Sequence, residues 1–424
     1  MGTEVWILGG TGRSGRAIAA ELVSRGIAPV LVGRDAARLA EAACQAEAAR
    51  LAEAARQTPG ETRTLVAGSI EELTRQIRQQ QPAVVINTIG PFTTTAPPIV
   101  QACLQAGHDQ AARNQLASDQ LASDQPGRDQ PVSDRPGSDY LDLANDVAAV
   151  SALLALNEAA TVAGRAIITG AGFGVTATES VVVKLTQDPP AEDPPAQDRP
   201  TPARVRVDMV PSLASEAGPV GAALAGTILE GLPGVDGGGR FQGRRYENGR
   251  LAPARIGGDL AHLVLPDGSR VTTANMPLGE LTAAHRASGA PNVISASSEA
   301  PSAPAIRAIL PLALALLQIA PVRALAMNRL ARVQLKAHDR PREHSYGHAV
   351  IEWPDGTTRE GWLQLGDAQA FTGAVPAEIA RRLLAGQGRP GAHTPAALFG
   401  PSLAEACGAR YLGTSTTEPL LNHK

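Results

Sequence analysis

A glycine-rich segment follows the first apolar run of the chain and precedes the first helical pattern. It consists of Gly9, Gly10, Thr11, Gly12, Arg13, Ser14 and Gly15. Glycines at this spacing let the backbone turn tightly and approach a pyrophosphate, while the N-terminus of the following helix supplies N–H donors. Because the segment lies where a predicted strand meets a predicted helix, we interpret it as a dinucleotide-binding loop, with a purely structural turn as the alternative.

The residue after the second predicted strand bears on the choice between NADP(H) and NAD(H). NAD-binding sites usually place an acidic side chain there, which binds the ribose 2'-hydroxyl. This chain instead has Arg34, followed by Asp35. An arginine can bind a 2'-phosphate through two charge-assisted hydrogen bonds and lie flat against adenine. We therefore predict NADP(H) as the cofactor. The alternative is that Arg34 is solvated and Asp35 binds the ribose of NAD(H).

Small and polar residues end the fourth predicted strand. They include Asn87, Thr88, Gly90 and Pro91. Ligands of open α/β sheets bind at the carboxyl ends of the strands, near the point where the strand order reverses. We expect these four residues to line the nicotinamide-ribose side of the site, with a plain loop as the alternative.

Four residues near the end of the fifth predicted strand are candidates for proton delivery. They are Tyr140, Asp142, Asn145 and Asp146. A positioned acid within hydrogen-bond reach of a reacting atom can protonate it during a reduction. No tyrosine of the chain has a lysine four residues on, so the Tyr-x-x-x-Lys pair of short-chain dehydrogenases is absent. For each of the four candidates, helix capping or a core role is the alternative.

The elements that would position these residues alternate regularly. Predicted strands cover 4–10, 29–33, 64–68, 83–90, 140–144 and 166–172, and predicted helices cover 13–25, 35–56, 70–80, 97–106 and 146–163. Apolar strands alternating with helices of this length are typical of a parallel sheet covered on both faces. The fold class predicted is α/β, a Rossmann-type doubly wound parallel sheet with a second α+β domain.

Changes in the sequence pattern and two repetitive runs predict how the chain is divided into domains and loops. An NAD(P)-binding domain is predicted over 1–172 and an α+β substrate or dimerisation domain over 173–370, with strands at 204–210 and 262–273 and a hairpin at 349–365. Two runs of pentapeptides, 110–139 and 187–201, are polar and partly rich in proline, so we predict disordered surface loops there. Pro376 is predicted to open a helix that ends near Ala385.

The charge balance and the cysteines exclude several classes of partner and site. The formal net charge is −3 and no Lys/Arg-rich run occurs, so nucleic acid is not expected as a partner. The three cysteines lie far apart, which favours neither a disulfide framework nor a zinc site and suits a reducing cytoplasm. No signal peptide is predicted at the N-terminus. A small-molecule substrate and a cytoplasmic location are therefore expected.

Histidines near the middle of the last third raise the question of a metal site. His338, His344 and His348 lie close to two acidic residues, but Pro341 and Gly347 interrupt the helix that would align them. We therefore predict a solvated loop and no metal.

The segment 308–336 is strongly apolar at first and then carries several basic residues. Prolines and a glutamine interrupt the apolar run, which is too short to cross a bilayer. Burial within a domain is the first interpretation. The alternatives are a helix that lines a lipophilic pocket and a helix that lies peripherally on a membrane surface.

Together the motifs resemble those of the saccharopine dehydrogenase-like oxidoreductases, including the branch described as trans-acting enoyl reductases. The motifs that carry the resemblance are GGTGRSGR (9–16), VGRDAARL (32–39), NTIGPF (87–92), YLDLAND (140–146), ITGAGFGV (168–175), GTILEGL (226–232), ASGAPNV (287–293) and TPAALFG (394–400). The resemblance implies an NADP-binding domain, a substrate or dimerisation domain that could form a homodimer, and C-terminal helices over 371–424 that pack back on the first domain. The chain departs from many relatives at 144–146 and at 175–179.

The function expected from the motifs and the resemblance is an NADP-dependent reduction of a C=C or C=N bond in a lipophilic or polyketide-like substrate. Two alternatives stay open. One is a non-catalytic NADP-binding redox sensor or scaffold, which the missing catalytic lysine favours. The other is an amino-acid C–N dehydrogenase of the saccharopine type, for which no compact cluster of arginines is evident in the sequence.

Overall fold

The computed structural model describes residues 4–52, 61–105, 137–187, 200–214, 218–219, 243–276, 278–317, 319–335 and 339–417. The chain divides into two compact units. The first comprises Met1–Ala144, Ser151–Gly172 and Thr372–Thr394, and the second comprises Asn145–Val150, Phe173–Phe371 and Pro395–Lys424.

The first unit is built on a seven-stranded parallel sheet. Its strands are β1 (Val5–Leu8), β2 (Pro29–Gly33), β3 (Arg63–Val66), β4 (Val84–Asn87), β5 (Asp139–Asp142), β6 (Ala166–Ile168) and β17 (Gly391–His393). They lie in the order β17-β6-β5-β4-β1-β2-β3, and every neighbouring pair is parallel. The first six strands thus have the 3-2-1-4-5-6 order of dinucleotide-binding folds. The predicted doubly wound parallel sheet is confirmed.

Helices connect these strands. They are α1 (Arg13–Ser24), α2 (Ala36–Ala52), α3 (Ile70–Gln80), α4 (92–105), α5 (Val147–Leu154) and α6 (Asn157–Ala163). Strand β1 is buried throughout, as expected for the centre of a sheet that is covered on both faces. Helix α1 buries Ile18, Ala19, Leu22 and Val23, which recur at helical spacing. The side chain of Ser69 caps α3 by accepting a hydrogen bond from Glu72 N.

The second unit contains a mixed, nine-stranded sheet. Its strands are β7 (Arg204–Val210), β9 (Gly243–Glu247), β10 (Arg250–Ala254), β11 (Ala261–Val264), β12 (Arg270–Asn275), β13 (Asn292–Ser297), β15 (Ser345–Glu352), β16 (Thr358–Leu365) and β18 (Arg410–Thr417). The order is β10-β9-β13-β7-β15-β16-β18, and β11 and β12 form a hairpin beside β13. Only β13 and β7 are parallel among the pairs in the described part of this sheet. A short pair joins β8 (Gly218–Pro219) to β14 (Gln334–Leu335).

The second unit also contains helices, one of which is almost entirely buried. They are α7 (Phe173–Gln187), α8 (Gly279–Ser288), α9 (Pro304–Leu317), α10 (Ala320–Ala331), α12 (Pro395–Phe399) and α13 (Ser402–Ala406). Helix α7 contacts β15, β16 and α8, and most of its residues are buried. A helix that is apolar on most sides needs such a central position. The second unit is therefore an α+β structure, as predicted.

The C-terminal part of the chain contributes to both units. Helix α11 (Ala368–Leu384) buries Val375, Ile379 and other apolar residues, and a Cβ on its Gly373 would lie 3.0 Å from Ala17 Cβ of α1. Of the predicted third segment, 371–424, the part from Thr372 to Thr394 belongs to the first unit and the part from Pro395 belongs to the second.

The helix prediction at Pro376 was wrong, because this proline lies inside α11 and does not open it. A proline in a helix interior leaves one carbonyl without its usual N–H donor and favours a break. Here the residues on both sides of Pro376 are fully buried, so tertiary packing outweighs the local preference.

The last residues of the first pentapeptide run also differ from the prediction. Residues 106–136 and 188–199 lie outside the described residues, but Ser138 and Asp139 are buried and Asp139 begins β5. The Asp139 carboxylate accepts a hydrogen bond from Ala166 N at 2.9 Å, and Arg165 Nη1 lies 3.9 Å from it. These partners compensate for burial of the carboxylate, which is why an acidic residue of the repeat can join the sheet.

Much of the described part of 308–336 is exposed, contrary to the first interpretation. It forms most of α9 and α10, and large apolar side chains there are exposed. They are Ile309, Leu312, Leu316, Ile319, Val322, Leu325 and Val333. In the part of the chain that the structure describes, no helix combines the length and apolar character needed to cross a membrane.

Candidate functional site

The glycine segment forms the turn between β1 and α1, as the sequence predicts. Gly9 has a φ of 79°, a left-handed conformation that favours glycine. The N–H groups of Gly9 and Gly10 both donate to Val32 O, at 2.9 and 3.1 Å, and Gly12 N donates to Gly9 O at 2.9 Å. These bonds hold the loop against β2. The loop therefore has a fixed shape at the carboxyl end of the central strand.

The glycines of this loop differ in what surrounds them. A Cβ on Gly15 would lie 2.4 Å from Gly9 O, and one on Gly10 would lie 2.9 Å from Leu31 Cβ. At these two positions the loop packs so closely on itself and on β2 that no space is left for a side chain. A Cβ on Gly12 would meet only Gly9 O within 4 Å, at 3.2 Å, and Gly12 is exposed. Gly12 is also the N-cap of α1 and offers no capping side chain. The open side of the loop is thus at Gly12, where an anion can approach the helix N-terminus.

Three residues near Gly12 complete the open side of the loop. Arg13 begins α1 and is exposed, while Ser14 is half-buried in its first turn. Thr11 is half-buried, and its carbonyl accepts a hydrogen bond from Arg16 Nη1 at 3.4 Å. A hydroxyl and a guanidinium at a helix N-terminus are groups that bind phosphate oxygens.

Thr88 connects the glycine loop to the end of β4. Its Oγ1 donates to Leu8 O at 2.7 Å, and a Cβ on Gly9 would lie 2.7 Å from that same Oγ1. The structure thus brings together two of the predicted segments, 9–15 and 87–91, at one edge of the sheet. Gly90 and Pro91 are half-buried there, and the carbonyl of Pro91 accepts a hydrogen bond from Thr95 N at the start of α4.

Arg34 follows β2 and is exposed, as a group that binds a 2'-phosphate must be. Its side chain has no hydrogen-bond or ion-pair partner among the described residues. Asp35 has a local role, because its Oδ1 accepts a hydrogen bond from Arg38 N at 3.1 Å at the start of α2. This bond caps the helix. The arrangement favours Arg34 over Asp35 as the residue available to a ribose substituent.

Replacing Arg34 by alanine is expected to lower the affinity for NADPH about 10- to 100-fold, because charge-assisted hydrogen bonds contribute about 1.5–3 kcal/mol. The affinity for NADH should not change. Isothermal titration calorimetry with both nucleotides measures the two values. Arg38→Ala is the matched control, since Arg38 is an exposed arginine on the next turn of the chain. An equal loss for NADPH and NADH would show that Arg34 does not distinguish the two cofactors.

Four of the buried polar residues at this edge form one hydrogen-bond network. Asn87 Nδ2 donates to the Tyr140 hydroxyl at 3.1 Å, and that hydroxyl donates to Asp142 Oδ2 at 3.0 Å. The other oxygen, Asp142 Oδ1, accepts from Ala144 N, Thr169 Oγ1 and Gly170 N, at 3.1, 2.9 and 3.2 Å. The Asp142 carboxylate thus ties together the ends of β4, β5 and β6.

The burial of this network limits what it can do. Asn87, Tyr140, Asp142 and Thr169 have no exposed surface. Burial raises the pKa of Asp142 to about 6 although its four hydrogen bonds lower it, and burial together with the charge of Asp142 raises the pKa of Tyr140. Tyr140 and Asp142 therefore stabilise the edge of the sheet from the interior of the unit, and neither offers an exposed polar atom to a substrate.

The other two catalytic candidates, Asn145 and Asp146, belong to the second unit and are half-buried. Asp146 Oδ1 accepts a hydrogen bond from Ala149 N at 2.7 Å and caps α5. Burial raises the pKa of Asp146, and hydrogen bonds from backbone N–H groups oppose that shift. Asn145 O accepts from Gly279 N at 3.2 Å, at the start of α8. When the Asn145 side chain is oriented with its amide nitrogen toward Glu280, that nitrogen donates to Glu280 Oε1 and Oε2 at 3.2 and 3.3 Å.

Glu280 is a functional candidate that the sequence did not indicate. It is 2 % exposed, and its burial raises its pKa to about 7. Its carboxylate packs so tightly on α7 that a Cβ on Gly174 would overlap with Glu280 Oε1. An acidic residue in the first turn of a helix usually complements the helix dipole, so nothing in the sequence distinguishes Glu280 from an ordinary helix start. A carboxyl group that titrates near neutral pH can hold or release a proton.

The second unit is expected to lose stability as the pH rises from about 4.5 to about 7, because Glu280 binds its proton more tightly in the folded than in the unfolded chain. That contribution is fully present below the unfolded pKa and is lost as the pH rises through the folded pKa. The free energy of unfolding, measured in urea at a series of pH values, should therefore fall less steeply in Glu280→Gln. Glu405→Gln, at an exposed glutamate, should keep the wild-type slope. Identical slopes in all three proteins would contradict the assignment.

The segment 175–179, where the chain departs from many relatives, lies in the buried part of α7. Glu179 has no exposed surface, and its carboxylate accepts hydrogen bonds from Ala396 N and Ala397 N at 2.9 and 3.2 Å. These bonds cap α12. The departure at Glu179 therefore has a structural explanation within the second unit.

His348 does not lie in a solvated loop, so that prediction was wrong for this residue. It is buried on β15, between Asp208 Oδ2 and Glu360 Oε1, each 3.0 Å from a ring nitrogen. Although burial lowers it, the pKa of His348 is raised by these two hydrogen bonds. His338 lies outside the described residues. Within the described residues, no group of three or more His, Cys, Asp or Glu side chains is placed to hold a metal ion.

Comparison with known proteins gives a likeness of fold. No family model matches the chain, and no curated protein matches it. Among solved structures, the chain is similar to apo saccharopine dehydrogenase (L-Glu forming) from Saccharomyces cerevisiae, with a TM-score of 0.55 and 13% identity, over 98% of this chain and 99% of that one.

Two weaker matches have TM-scores too low to support an argument about fold. AtPrR2 with NADP+ and (+)pinoresinol has a TM-score of 0.20 and 14% identity over 35% of this chain and 52% of that one. Glucose-6-phosphate 1-dehydrogenase from Mycobacterium avium has a TM-score of 0.33 and 12% identity over 95% and 96%. The similarity to the yeast saccharopine dehydrogenase and the strand order together show that the chain has a saccharopine dehydrogenase-like fold.

Proposed function

We propose that the chain is an NADP-dependent oxidoreductase. The observation that carries the proposal is the β1–α1 turn, which is closed by packing at Gly10 and Gly15 but open at Gly12. This is the arrangement that a pyrophosphate needs in order to approach a helix N-terminus. The fold shared with a dehydrogenase is consistent with it.

Different residues of the first unit would bind different parts of the cofactor. Gly12 and its neighbours Thr11, Arg13 and Ser14 would face the pyrophosphate. Arg34 would bind the 2'-phosphate, and Thr88, Gly90 and Pro91 would border the nicotinamide ribose, with Asn87 held beneath them by its bond to Tyr140. The cofactor supplies a hydride when bound.

The proposed substrate is a lipophilic molecule with a C=C or C=N bond, and the trans-acting enoyl reductase branch corresponds to the C=C case. This part rests on the resemblance of the sequence motifs, since the exposed side chains of 308–336 do not favour the alternative of a helix that lines a pocket. Of the four candidates for proton delivery, Asn145 and Asp146 are half-buried, while Tyr140 and Asp142 act as positioning residues.

The test is NADPH oxidation, followed at the nicotinamide absorbance, with three classes of acceptor: α,β-unsaturated acyl thioesters, cyclic imines, and 2-oxo acids with an amino acid. We expect turnover of one of the first two classes by the wild type and, at subsaturating NADPH, turnover lower by about 100-fold or more in Gly12→Val. Turnover of the third class alone would indicate an amino-acid C–N dehydrogenase. Turnover that Gly12→Val retains at the wild-type rate would contradict the proposed cofactor site.

A second candidate is a non-catalytic NADP-binding sensor or scaffold. The observation that favours it is the complete burial of Tyr140 and Asp142, whose polar atoms are occupied by hydrogen bonds within the protein. Such a protein would bind NADPH through the same loop but would accelerate its oxidation with none of the three acceptor classes.

A further inference from the structure

The helices α9 and α10 contact each other in the second unit and expose an unusual set of apolar side chains. Ile309 and Leu312 are each 64% exposed, and Leu325 is 59% exposed. Isolated exposed leucines are common, but a contiguous exposed apolar surface usually marks an interaction site. We call the exposed side chains of 309–333 the helical patch.

The spacing places these side chains on one face of each helix. Ile309, Leu312 and Leu316 lie within an arc of about 60° on α9, since successive residues of an α-helix are about 100° apart. On α10, the same spacing brings Val322, Leu325 and Arg329 onto one face. Each helix therefore presents an apolar stripe, and the stripe of α10 ends in a basic residue.

The charge of the surrounding sequence has one sign. Between Ala300 and His338 the chain has no Asp or Glu, but it has five basic residues, in a protein whose formal net charge is −3. Two of them, Arg329 and Arg332, are exposed at the C-terminal end of α10. Exposed apolar stripes on a segment that carries basic residues and no acidic ones match an anionic bilayer surface, which offers an apolar interior beneath negatively charged headgroups.

We propose that the helical patch binds the surface of an anionic membrane, with α9 and α10 lying in the plane of the interface. Helix α9, with 14 residues, is about 21 Å long and so is too short to span the hydrocarbon core of about 30 Å. A second copy of the chain fits less well, because a two-fold interface through the patch would bring together two copies of a segment that has basic but no acidic residues. This proposal goes beyond the proposed oxidoreductase and does not depend on it.

The test is flotation of the full chain with vesicles. One preparation contains two parts phosphatidylcholine to one part phosphatidylserine, and the other contains phosphatidylcholine alone. We expect binding to the anionic vesicles, weaker binding at high salt, and much weaker binding to the neutral ones. The variant Leu312→Gln/Leu325→Gln should bind at least about tenfold more weakly, because it removes two apolar anchors. The variant Arg329→Gln/Arg332→Gln should bind roughly 25-fold more weakly, at about fivefold for each charge.

Matched controls use the same changes outside the patch. Leu260→Gln and Arg250→Gln replace an exposed leucine and an exposed arginine of the second unit and should bind like the wild type. The unfolding temperature of each variant verifies that it is folded. No binding to anionic vesicles, or binding that the patch variants retain, would overturn the proposal. A wild type that dimerises without binding vesicles, and that becomes monomeric in Leu312→Gln/Leu325→Gln, would also overturn it and would assign the patch to a second copy.

Discussion

Replacing Gly12 by valine is expected to weaken NADPH binding about 100-fold or more, the loss of two charge-assisted hydrogen bonds of about 1.5–3 kcal/mol each. The backbone at Gly12 has a φ of −74° and a ψ of 164°, an extended conformation that valine adopts readily. The new Cβ would lie 3.2 Å from Gly9 O, a close contact that a small shift of the loop relieves, so the chain should still fold. The valine methyl groups, however, would occupy the open side of the loop, where a pyrophosphate approaches α1.

The control for this change is Gly366→Val, at a glycine of the second unit whose Cβ would meet nothing within 4 Å. A second comparison is Gly15→Ala, whose Cβ would lie 2.4 Å from Gly9 O. That variant should lose both NADPH affinity and stability, because the loop itself must shift. Fluorescence titration with NADPH and thermal unfolding measure the two properties. A Gly12→Val protein with wild-type affinity would mean that the nucleotide does not approach this loop.

Replacing Asp142 by alanine is expected to lower the free energy of unfolding of the first unit by about 3–5 kcal/mol, because it leaves several buried donors without an acceptor. The donors are Ala144 N, Thr169 Oγ1, Gly170 N and the Tyr140 hydroxyl. Asp35→Ala provides a matched comparison. Its carboxylate accepts one hydrogen bond at an exposed helix start, so its loss should cost only about 1 kcal/mol.

The pH dependence gives an independent test of the same residue. The pKa of Asp142 is raised to about 6 by burial, so the folded protein holds this proton more tightly than the unfolded chain does. The stability that it contributes is present below the unfolded pKa, about 3.9, and is lost as the pH rises through the folded pKa. Chemical unfolding over this interval should show a falling stability that is less steep in Asp142→Asn. A loss of less than about 1 kcal/mol in Asp142→Ala would show that these hydrogen bonds do not stabilise the edge of the sheet.

The sheet of the first unit was largely predictable because its strands are short apolar runs separated by helical patterns. The predicted strand at 29–33 coincides with β2, and the predicted helix at 70–80 coincides with α3. The seventh strand, β17, could not be predicted in this way. Its three residues, Gly391–His393, include no β-branched side chain, and their strand conformation comes from pairing with β6. Such pairing depends on tertiary structure and not on local preference.

The helical patch shows a second limit of sequence analysis. An apolar segment predicts burial, but α9 and α10 expose Ile309 and Leu325. Hydrophobicity alone does not specify whether the surface that covers a side chain belongs to the same chain or to a partner. The one-sided charge of the segment is the signal in the sequence that points to a partner.

Only part of the candidate site, likewise, could be predicted from the sequence. The glycine loop and Arg34 could be predicted, because local motifs specify them. The role of Asp142 as a connection between three strands could not, since Thr169 and Gly170 are distant from it in sequence. Glu280 was missed for the same reason. Its raised pKa comes from burial against α7, which no pattern around residue 280 indicates.

The most direct test of the proposed cofactor site is a crystal structure of the chain with NADP+ bound. We predict that the pyrophosphate lies against Gly12 at the N-terminus of α1 and that the 2'-phosphate contacts the Arg34 guanidinium. The nicotinamide should lie beside Thr88 and Gly90. A structure in which NADP+ is bound elsewhere, or crystals in which saturating NADP+ leaves the loop at Gly12 empty, would contradict the account.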